Sequence, residues 1–436
     1  MSFFHDRAVI LSTGDEIIVG QLQDTNARWL AQQLVSAGIM PIAHEVVPDD
    51  LPALVAALRR ACAAAPLVVM SGGLGPTEGD LTRQALAALT GDELVDDAEA
   101  HAAITAMLAK RGREMSERQA RQAQRPAHAM CLPNAFGTAP GLHVVVDGKA
   151  DVMCLPGPPG ELRPMFAEGV RPLLRPPPGR TVLTRLCHIV GVPEAECVAR
   201  LGDLTKRDRV PLVGITASGG ILTLRIRYEG PGDGAAAGAS VDEAEATARR
   251  VLGDNLFATG GGAGIEELVR TVLRLLKERG ETVSVVESCT GGMLGELLST
   301  VAGASASFVG GTIAYANAAK EAMGVPAATL EAHGAVSAPC CAALCSAGLR
   351  AHGADHVLVI TGIAGPDGGT DGKPVGTVFI GRASLGQGPA DVRRFLFTGD
   401  REDVRRRACV SALAMLYFSL RGLLAGEPEL LWQVRV

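Results

Sequence analysis

The sequence predicts an α/β protein built from several domains. Its 436 residues correspond to two or three domains at about 150 residues each. Hydrophobic residues make up 47% and charged residues 20%, which is typical of a globular protein. From residue 8 to residue 89, short apolar runs alternate with stretches of helical spacing. Such repeated βα units imply a parallel sheet covered by helices, with ligands at the carboxyl ends of the strands.

The first segment supplies the clearest alternation. Strands are predicted at residues 8–11, 42–47 and 67–70, and helices at residues 26–37, 51–65 and 81–89. Two later stretches, residues 137–141 and 155–160, contain too much glycine and proline for the interior of an element and indicate turns.

The pattern of predicted strands and helices changes at about Arg171. Strands at residues 181–190 and 221–228 and a helix at 241–252 predict a small α+β domain, with a flexible loop at residues 230–238. After a glycine-rich linker, helices are predicted at 265–279 and 293–300, and strands at 282–287 and 355–360. The sequence therefore predicts domains at residues 1–170, 171–258 and 259–430.

Composition excludes several classes of function. A net charge of −6 and an aromatic content of 3% disfavour a protein that coats or stacks on nucleic acid. The N-terminus meets charge too early for a signal peptide, and the apolar run at residues 408–420 is shorter than the ~20 residues that span a bilayer. The ten cysteines form no zinc-ligand pattern and are expected to be reduced. We expect a cytoplasmic protein with no membrane partner.

Three glycine-rich loops are candidates for chemistry. The first, Ser71–Asp80, follows a strand and precedes a helix, so its backbone N–H groups can meet an anion. A turn needed for packing alone would look the same. The third, Thr361–Thr370, also follows a strand, and Arg401 further along could add a cation for a phosphate or carboxylate. Alone, Arg401 is more typical of an ordinary surface charge.

The second loop, Glu287–Gly292, places Ser288 and Cys289 on a tight strand-to-helix turn. A nucleophile there is exposed, and the backbone N–H groups that follow it can stabilise an oxyanion. Ser288 could equally cap the helix. Lys320 stands among apolar neighbours in a chain with only six lysines, and a buried neutral lysine can accept a proton from a serine hydroxyl. Cys289 remains a rival nucleophile, because the same lysine could serve its thiol.

The first part of the chain resembles the N-terminal domain of the CinA family, which is similar to the MoaB/MogA molybdopterin-binding fold. The resemblance is carried by GDE-x5-Q-x2-DTN from Gly14, GGLGPT-x2-DLT from Gly72, GTAPG and LPGPPGEL. It implies a site at Gly72, Gly73, Asp49 and Asp80. Some relatives are metal-dependent ADP-ribose pyrophosphatases, which implies a possible second activity of that kind and a possible divalent metal in this domain. The alternative is a degenerate nucleotide-binding or purely structural domain. This chain departs from the family pattern at Gly79, where an aspartate is usual.

The last part resembles the C-terminal domain of the CinA family, also found as a free-standing nicotinamide mononucleotide deamidase (PncC type). The motifs are ESCTGG, GAS, YxNxxK, GAVS, TGIAGPDGGT, KPVGTV and GDR. The resemblance implies a Ser288/Lys320 dyad supported by Ser305, Tyr315 and Arg401. Backbone N–H groups of Thr290, Gly291 and Gly292 would then hold the oxyanion. Ribose phosphate recognition would fall to Thr361, Gly362, Gly365 and Arg401.

The expected reaction is hydrolysis of nicotinamide mononucleotide to nicotinate mononucleotide and ammonia, without a cofactor. The middle domain corresponds to the family's KH-like domain, but it lacks a GxxG clamp with flanking basic residues, so no nucleic-acid partner is expected. The resemblance also implies a homodimer. The alternative is a non-catalytic, regulatory nucleotide-binding protein linked to competence or damage responses.

Overall fold

The structure is a computed structural model that describes residues 3–231, 234–423 and 428–434. The chain divides into two units, Met1–Leu183 with Glu229–Gly238, and Thr184–Tyr228 with Ala239–Val436. Most of the predicted middle domain shares the second unit with the predicted last domain, whereas residues 171–183 and 229–238 belong to the first unit. The three-domain boundaries at residues 170 and 258 therefore stay a prediction.

The first unit contains a six-stranded sheet with strand order β2-β1-β3-β8-β7-β6. The first four strands of that order are parallel to one another. Strand β7 is antiparallel to β8, and β6 is antiparallel to β7. Strands β4 and β5 form a separate pair. The strands are β1 Arg7–Thr13, β2 Met40–Val47, β3 Leu67–Ser71, β4 Leu94–Asp96, β5 Gln124–Pro126, β6 Met130–Leu132, β7 Gly141–Val146 and β8 Ala150–Leu155. The helices are α1 Asp15–Ile18, α2 Thr25–Ser36, α3 Leu51–Ala64, α4 Thr82–Thr90, α5 Ala98–Lys110, α6 Glu117–Ala120 and α7 Pro159–Met165.

Strand β1 shows why this unit has three layers. Val9 and Leu11 belong to the apolar cluster that contains α3 residues, whereas Ala8 and Ile10 belong to the cluster that contains α2 residues. Because successive side chains of a strand point to opposite faces, a strand that is apolar at every position must be covered on both sides. This confirms the predicted α/β architecture.

The second unit begins with a four-stranded sheet of order β10-β11-β9-β12. Its elements are β9 Arg180–Val190, α8 Glu194–Leu201, β10 Leu212–Ser218, β11 Ile221–Pro231, α9 Gly234–Leu252 and β12 Leu256–Thr259. The predicted loop at 230–238 is wrong at both ends, because β11 continues to Pro231 and α9 starts at Gly234; residues 232–233 lie outside the described residues. The alanines at positions 235–237 favour a helix despite the flanking glycines.

The rest of the unit is a second α/β sheet of order β14-β13-β15-β16-β17-β18, in which β14, β13 and β15 are parallel. Its strands are β13 Val283–Glu287, β14 Phe308–Ile313, β15 His356–Gly362, β16 Thr377–Ser384, β17 Asp391–Leu396 and β18 Gln433–Val434. Its helices are α10 Gly264–Arg279, α11 Met293–Ser299, α12 Asn317–Ala322, α13 Ala327–His333, α14 Ala338–His352 and α15 Arg401–Leu420.

Helix α15 accounts for the apolar run at residues 408–420. Its side chains from Ala408 to Phe418 are all buried, and they join the main core together with residues of α10 and β15. A helix that is apolar nearly all round is expected in such a central position. Within the three described ranges, no helix is both long and apolar enough to cross a membrane.

Candidate active site

Ser288 lies where a buried central strand ends. All five residues of β13 are buried, and the Ser288 N–H donates to the carbonyl oxygen of Ile360 on the neighbouring β15 at 2.9 Å. Gly291 and Gly292 then turn the chain into α11 with φ of 59° and 101°. Since these positive φ values strain other residues, the two glycines let the strand enter the helix within one short turn. Ser288 is 8% exposed.

Glu287 fixes this turn from below. Its side chain is 1% exposed, and its carboxylate accepts hydrogen bonds from the N–H groups of Gly292 at 3.0 Å, Leu294 at 3.1 Å and Gly295 at 2.8 Å. These donors belong to the first turn of α11, which would otherwise leave them without partners. A buried carboxylate at a helix N-terminus also complements the helix dipole. Glu287 therefore fixes the turn that carries the next residue, Ser288.

Lys320 meets Ser288 from α12. Its side chain is 1% exposed, and its Nζ lies 3.2 Å from Ser288 Oγ. The Nζ also donates to the main-chain carbonyl oxygens of Ala314 at 2.8 Å and Tyr315 at 2.9 Å. Among the described residues, no carboxylate forms an ion pair with Lys320. Burial lowers the pKa of Lys320, and the opposing influence of Cys340 and Cys289 is smaller.

The three neighbours of Nζ define what a neutral amine can do there. Carbonyl oxygens only accept, so Ala314 and Tyr315 take the two N–H groups of a neutral amine. The remaining lone pair then faces the hydroxyl of Ser288, which can donate its proton. This arrangement supplies a general base for Ser288 without histidine.

Cys289 is poorly placed to be the nucleophile. Its side chain is 6% exposed, and burial raises the pKa of its thiol to about 12, against a smaller lowering by Arg401 and Arg405. A thiol in that state is protonated at neutral pH, and the thiolate is the reactive form. The contact of Nζ with Ser288 makes the serine the better candidate.

The oxyanion donors differ from the predicted set. The N–H of Gly291 donates to the Ser288 carbonyl oxygen at 3.0 Å, and that of Gly292 donates to Glu287. Among the described residues, the N–H of Thr290 has no acceptor, and the N–H of Cys289 contacts only the sulfur of its own side chain. The N–H groups of Gly291 and Gly292, two of the three predicted oxyanion donors, are therefore engaged within the turn. The N–H groups of Cys289 and of the third predicted donor, Thr290, lie one and two residues after Ser288 and are the remaining candidates.

Tyr315 and Arg401 form the outer part of the site. The Tyr315 side chain is 56% exposed, and its hydroxyl accepts a hydrogen bond from Arg401 at 3.0 Å. Arg401 also donates to the carbonyl oxygen of Gly365 at 2.6 Å. Tyr315 therefore orients Lys320 through its carbonyl oxygen rather than through its phenol, and Arg401 joins the third glycine-rich loop to the edge of the site.

Two residues of the third loop have other uses. The Thr361 hydroxyl is buried and donates to the carbonyl oxygen of Ala335 at 2.8 Å. A Cβ at Gly362 would lie 2.9 Å from the Cα of Val378 on β16, so this glycine permits close strand packing. The hydroxyl proton of Thr361 is therefore engaged within the fold, and the predicted contact of this loop with ribose phosphate stays a prediction.

Ser305 lies near the amino end of β13, whereas Ser288 lies at the carboxyl end of that strand. Ser305 is exposed and sits in a short turn just before β14. The nearby Ser307 carbonyl oxygen accepts from the N–H of Val283, the first residue of β13. Ser288 follows the last residue of β13, and a strand of this length separates Val283 from Ser288 by about 16 Å. This placement contradicts the supporting role predicted for Ser305 within one chain.

Sequence reasoning missed two residues that shape the site. Arg405 donates to the carbonyl oxygen of Thr290 at 2.7 Å, and Glu287 holds α11. Arg405 could have been found from its spacing of four residues from Arg401, since such residues share one helix face. The Thr290 hydroxyl is fully buried and has no hydrogen-bond partner among the described residues.

The predicted site in the first unit is built around the loop after β3. A Cβ at Gly72 would lie 2.7 Å from the Thr13 carbonyl oxygen, and one at Gly73 would lie 2.3 Å from Thr82 Oγ1. Both positions therefore need glycine for the close approach of the neighbouring chain. The loop is further held by Arg83, which is buried and donates to the carbonyl oxygens of Leu74 and Gly75.

The two aspartates of that site are engaged in different ways. Asp49 accepts from the Thr13 hydroxyl at 2.7 Å. Both carboxylate oxygens of Asp80 accept hydrogen bonds inside the loop, from the N–H of Gly75 at 2.8 Å and from the N–H and hydroxyl of Thr77 at 2.7 and 2.6 Å. Asp80 thus stabilises the loop conformation.

A divalent metal does not fit the donors at this place. Magnesium and calcium need several oxygen ligands, Gly79 contributes no side chain, and Asp80 is occupied by its own loop. The described part of the chain has no group of three His, Cys, Asp or Glu side chains arranged to hold a metal. The donor set therefore disagrees with a metal site at Asp49 and Asp80.

The two mixed sheets, each with a parallel part, and the pair at the end of β13 define a multidomain α/β protein with a buried serine–lysine pair in its C-terminal part. The chain belongs to the CinA family. The CinA C-terminal domain matches residues 265–420, a probable molybdopterin binding domain matches 9–176, and the damage-inducible protein CinA KH domain matches 184–258.

Relatives match over nearly the whole length. A competence-damage inducible protein by name, from Symbiobacterium thermophilum, is 41% identical over 96% of this chain and 99% of its own. A CinA-like protein from an Anaeromyxobacter species is 42% identical over 94% and 98%. A crystal structure of a CinA superfamily protein from Klebsiella pneumoniae is 37% identical and covers 37% of this chain and 100% of its own, with a TM-score of 0.36.

Proposed function

We propose that this chain is an amidohydrolase that converts nicotinamide mononucleotide to nicotinate mononucleotide and ammonia. The observation that carries the proposal is the buried contact between Lys320 Nζ and Ser288 Oγ, with two carbonyl oxygens fixing the other N–H groups of the lysine. A carboxamide is the matching substrate class, because the family resemblance of the C-terminal motifs is to a nucleotide deamidase.

The first half-reaction is acyl transfer to Ser288. The Ser288 hydroxyl proton moves to the lone pair of Lys320 while Oγ forms a bond to the amide carbon. The carbonyl electron pair moves onto its oxygen, where the N–H groups of Cys289 and Thr290 stabilise the negative charge. The Lys320 ammonium then gives its proton to the amide nitrogen, the C–N bond breaks, and ammonia leaves.

The second half-reaction restores the enzyme. Water attacks the nicotinoyl ester, and neutral Lys320 takes the proton from the water. The second tetrahedral species collapses by breaking the bond to Ser288 Oγ, which regains its proton from Lys320. The product is a carboxylic acid on the pyridine ring, and no cofactor enters these steps.

Arg401 and Tyr315 are the proposed substrate contacts outside the reacting centre. Arg401 spends two of its five N–H donors on Gly365 and Tyr315, so donors remain for a phosphate group. Tyr315 is half exposed beside it and can add a hydroxyl contact to the ribose phosphate. The backbone around Gly362 and Gly365 would form the opposite wall.

The test compares turnover with binding. The full chain is incubated with nicotinamide mononucleotide, and ammonia and nicotinate mononucleotide are measured together; we expect equal amounts of both. Ser288→Ala should lose turnover and keep nucleotide affinity within about threefold by calorimetry. A chain that binds the nucleotide equally well before and after Ser288→Ala, without turnover in either form, would instead be the regulatory protein linked to competence or damage responses.

A further inference from the structure

A second polar cleft lies in the same unit, away from Ser288. Its volume is about 390 Å³, and it lies between α9, the segment before β12, α10 and the end of α15. Arg401 at the active site and Arg421 at this cleft stand at opposite ends of α15, which has 20 residues. At 1.5 Å per residue the two ends are about 30 Å apart, so the cleft is separate from the proposed catalytic site.

Three arginines from three different helix regions line this cleft, against one carboxylate, Asp254. Arg421 donates to Asp254 at 3.0 Å. Arg249 donates to Glu245 at 2.8 Å and to the Thr259 hydroxyl at 2.6 Å. These contacts leave unused donors on both arginines, because each guanidinium carries five N–H groups.

The third arginine, Arg274, comes from α10. It pairs with Glu278 one turn further along, at 2.7 Å and with both side chains more than half exposed. Exposed pairs of this kind contribute little, so a ligand can replace Glu278 at little cost. Three positive charges and one negative charge line the cleft, while Glu245 and Glu278 pair with two of these arginines from outside the lining.

The cleft is lined mostly by polar atoms, including two hydroxyls. Leu256, Phe257 and Leu275 line it, and Tyr417 donates to the Asp254 carbonyl oxygen at 3.0 Å. Burial and Asp254 raise the pKa of Tyr417 to about 12, while Arg421, Arg249 and Arg274 all oppose this rise. All three arginines line the same cleft as Tyr417 and lie close enough to influence its hydroxyl. Thr271 contributes a hydroxyl that has no acceptor among the described residues.

We propose that this cleft binds a phosphorylated small molecule through its phosphate or diphosphate group. Arginine forks on three sides match the oxygen geometry of a phosphate and bind it with charge-assisted hydrogen bonds. A nucleic-acid strand would need a basic track that continues along the surface, whereas these arginines surround a single concave point. Because the ligand would touch both the middle and the C-terminal parts, its binding stabilises their packing.

The test uses inorganic diphosphate as the probe at constant ionic strength. Calorimetry of the full chain should show a site whose affinity falls at least tenfold in Arg274→Gln. The matched control is Arg270→Gln, which removes a cation of the same helix that pairs with Glu266 and Glu267 and does not line the cleft. Thr271→Val, which keeps the volume and removes the hydroxyl, should weaken binding several-fold.

Three results would overturn the inference. Equal affinity for diphosphate in Arg274→Gln and Arg270→Gln would show that binding depends on the overall charge of the protein and not on this cleft. Loss of the site in Arg401→Gln, with no loss in Arg274→Gln, would assign the probe to the catalytic site; this comparison holds whether or not the chain is a deamidase. Displacement of diphosphate by a single-stranded oligonucleotide at lower concentration than by a nucleoside diphosphate would indicate a nucleic-acid surface.

Discussion

The Nζ of Lys320 lies 3.2 Å from the Oγ of Ser288, and both side chains are buried. The contact joins the end of β13 to α12, across a turn that Glu287 holds in place. Because the lysine has no ion-pair partner among the described residues and two carbonyl oxygens fix its N–H groups, burial works in favour of the neutral amine. A neutral lysine is the form that can activate a serine.

The first prediction concerns pH. Since burial lowers the pKa of Lys320, kcat/KM should rise with pH through a single ionisation below the usual lysine value of about 10.4. Lys320→Arg keeps the charge but cannot lose its proton, so the rate should fall by roughly 10² to 10⁴-fold at every pH. The control is Lys373→Arg, a half-buried lysine that donates to the His333 carbonyl oxygen and does not contact Ser288. An unchanged pH profile in Lys320→Arg would contradict the assignment.

The second prediction concerns Glu287. Glu287→Gln turns one carboxylate oxygen into an N–H donor that faces the N–H groups of α11. We expect the free energy of unfolding, measured in urea, to fall by about 1–3 kcal/mol, as for a buried group left without its partner. We also expect kcat to fall more than KM rises, because Ser288 shifts. Glu296→Gln, on the exposed side of the same helix, should change neither quantity. Full activity in Glu287→Gln would show that this carboxylate does not position the nucleophile.

The third prediction separates binding from chemistry. Arg401 contacts the rim of the site and not Ser288, so Arg401→Gln should raise KM for nicotinamide mononucleotide by roughly tenfold, as expected for the loss of a charge-assisted hydrogen bond, with little change in kcat. Arg406→Gln is the control, since Arg406 pairs with Glu402 on the surface of the same helix. A fall in kcat without a change in KM would place Arg401 at the reacting centre.

The fourth prediction tests why the first unit does not fit a metal. A Cβ at Gly79 would lie 3.7 Å from Asp49 Oδ2, an ordinary contact. Gly79→Asp should therefore fold normally and place two carboxylates side by side, which suits Mg²⁺. Addition of Mg²⁺ should raise the melting temperature of Gly79→Asp and leave that of the parent chain unchanged. An equal shift in both chains would mean that the parent already binds the ion.

The sequence predicted the elements and the central pair but not all the partners. The βα alternation at residues 8–89 identified the parallel sheet, and the family motifs singled out Ser288 and Lys320. The sequence could not supply the tertiary contacts of the site. Whether the N–H of Gly292 is free depends on the Glu287 carboxylate, and whether Thr361 can reach a ligand depends on the Ala335 carbonyl oxygen. Ser305 is close to Ser288 in sequence but lies beyond the far end of β13, a separation that strand direction decides.

The account depends most on Ser288 rather than Cys289 being the nucleophile. The measurement is ammonia release from nicotinamide mononucleotide by the intact chain, Ser288→Ala and Cys289→Ala at the same pH. We predict that Ser288→Ala lowers kcat by about 10³-fold or more, as loss of a nucleophile does, while Cys289→Ala stays within about fivefold of the intact chain because its thiol is buried and protonated. Loss of turnover in Cys289→Ala with retention in Ser288→Ala would contradict the serine mechanism. No ammonia from the intact chain would contradict the deamidase function itself.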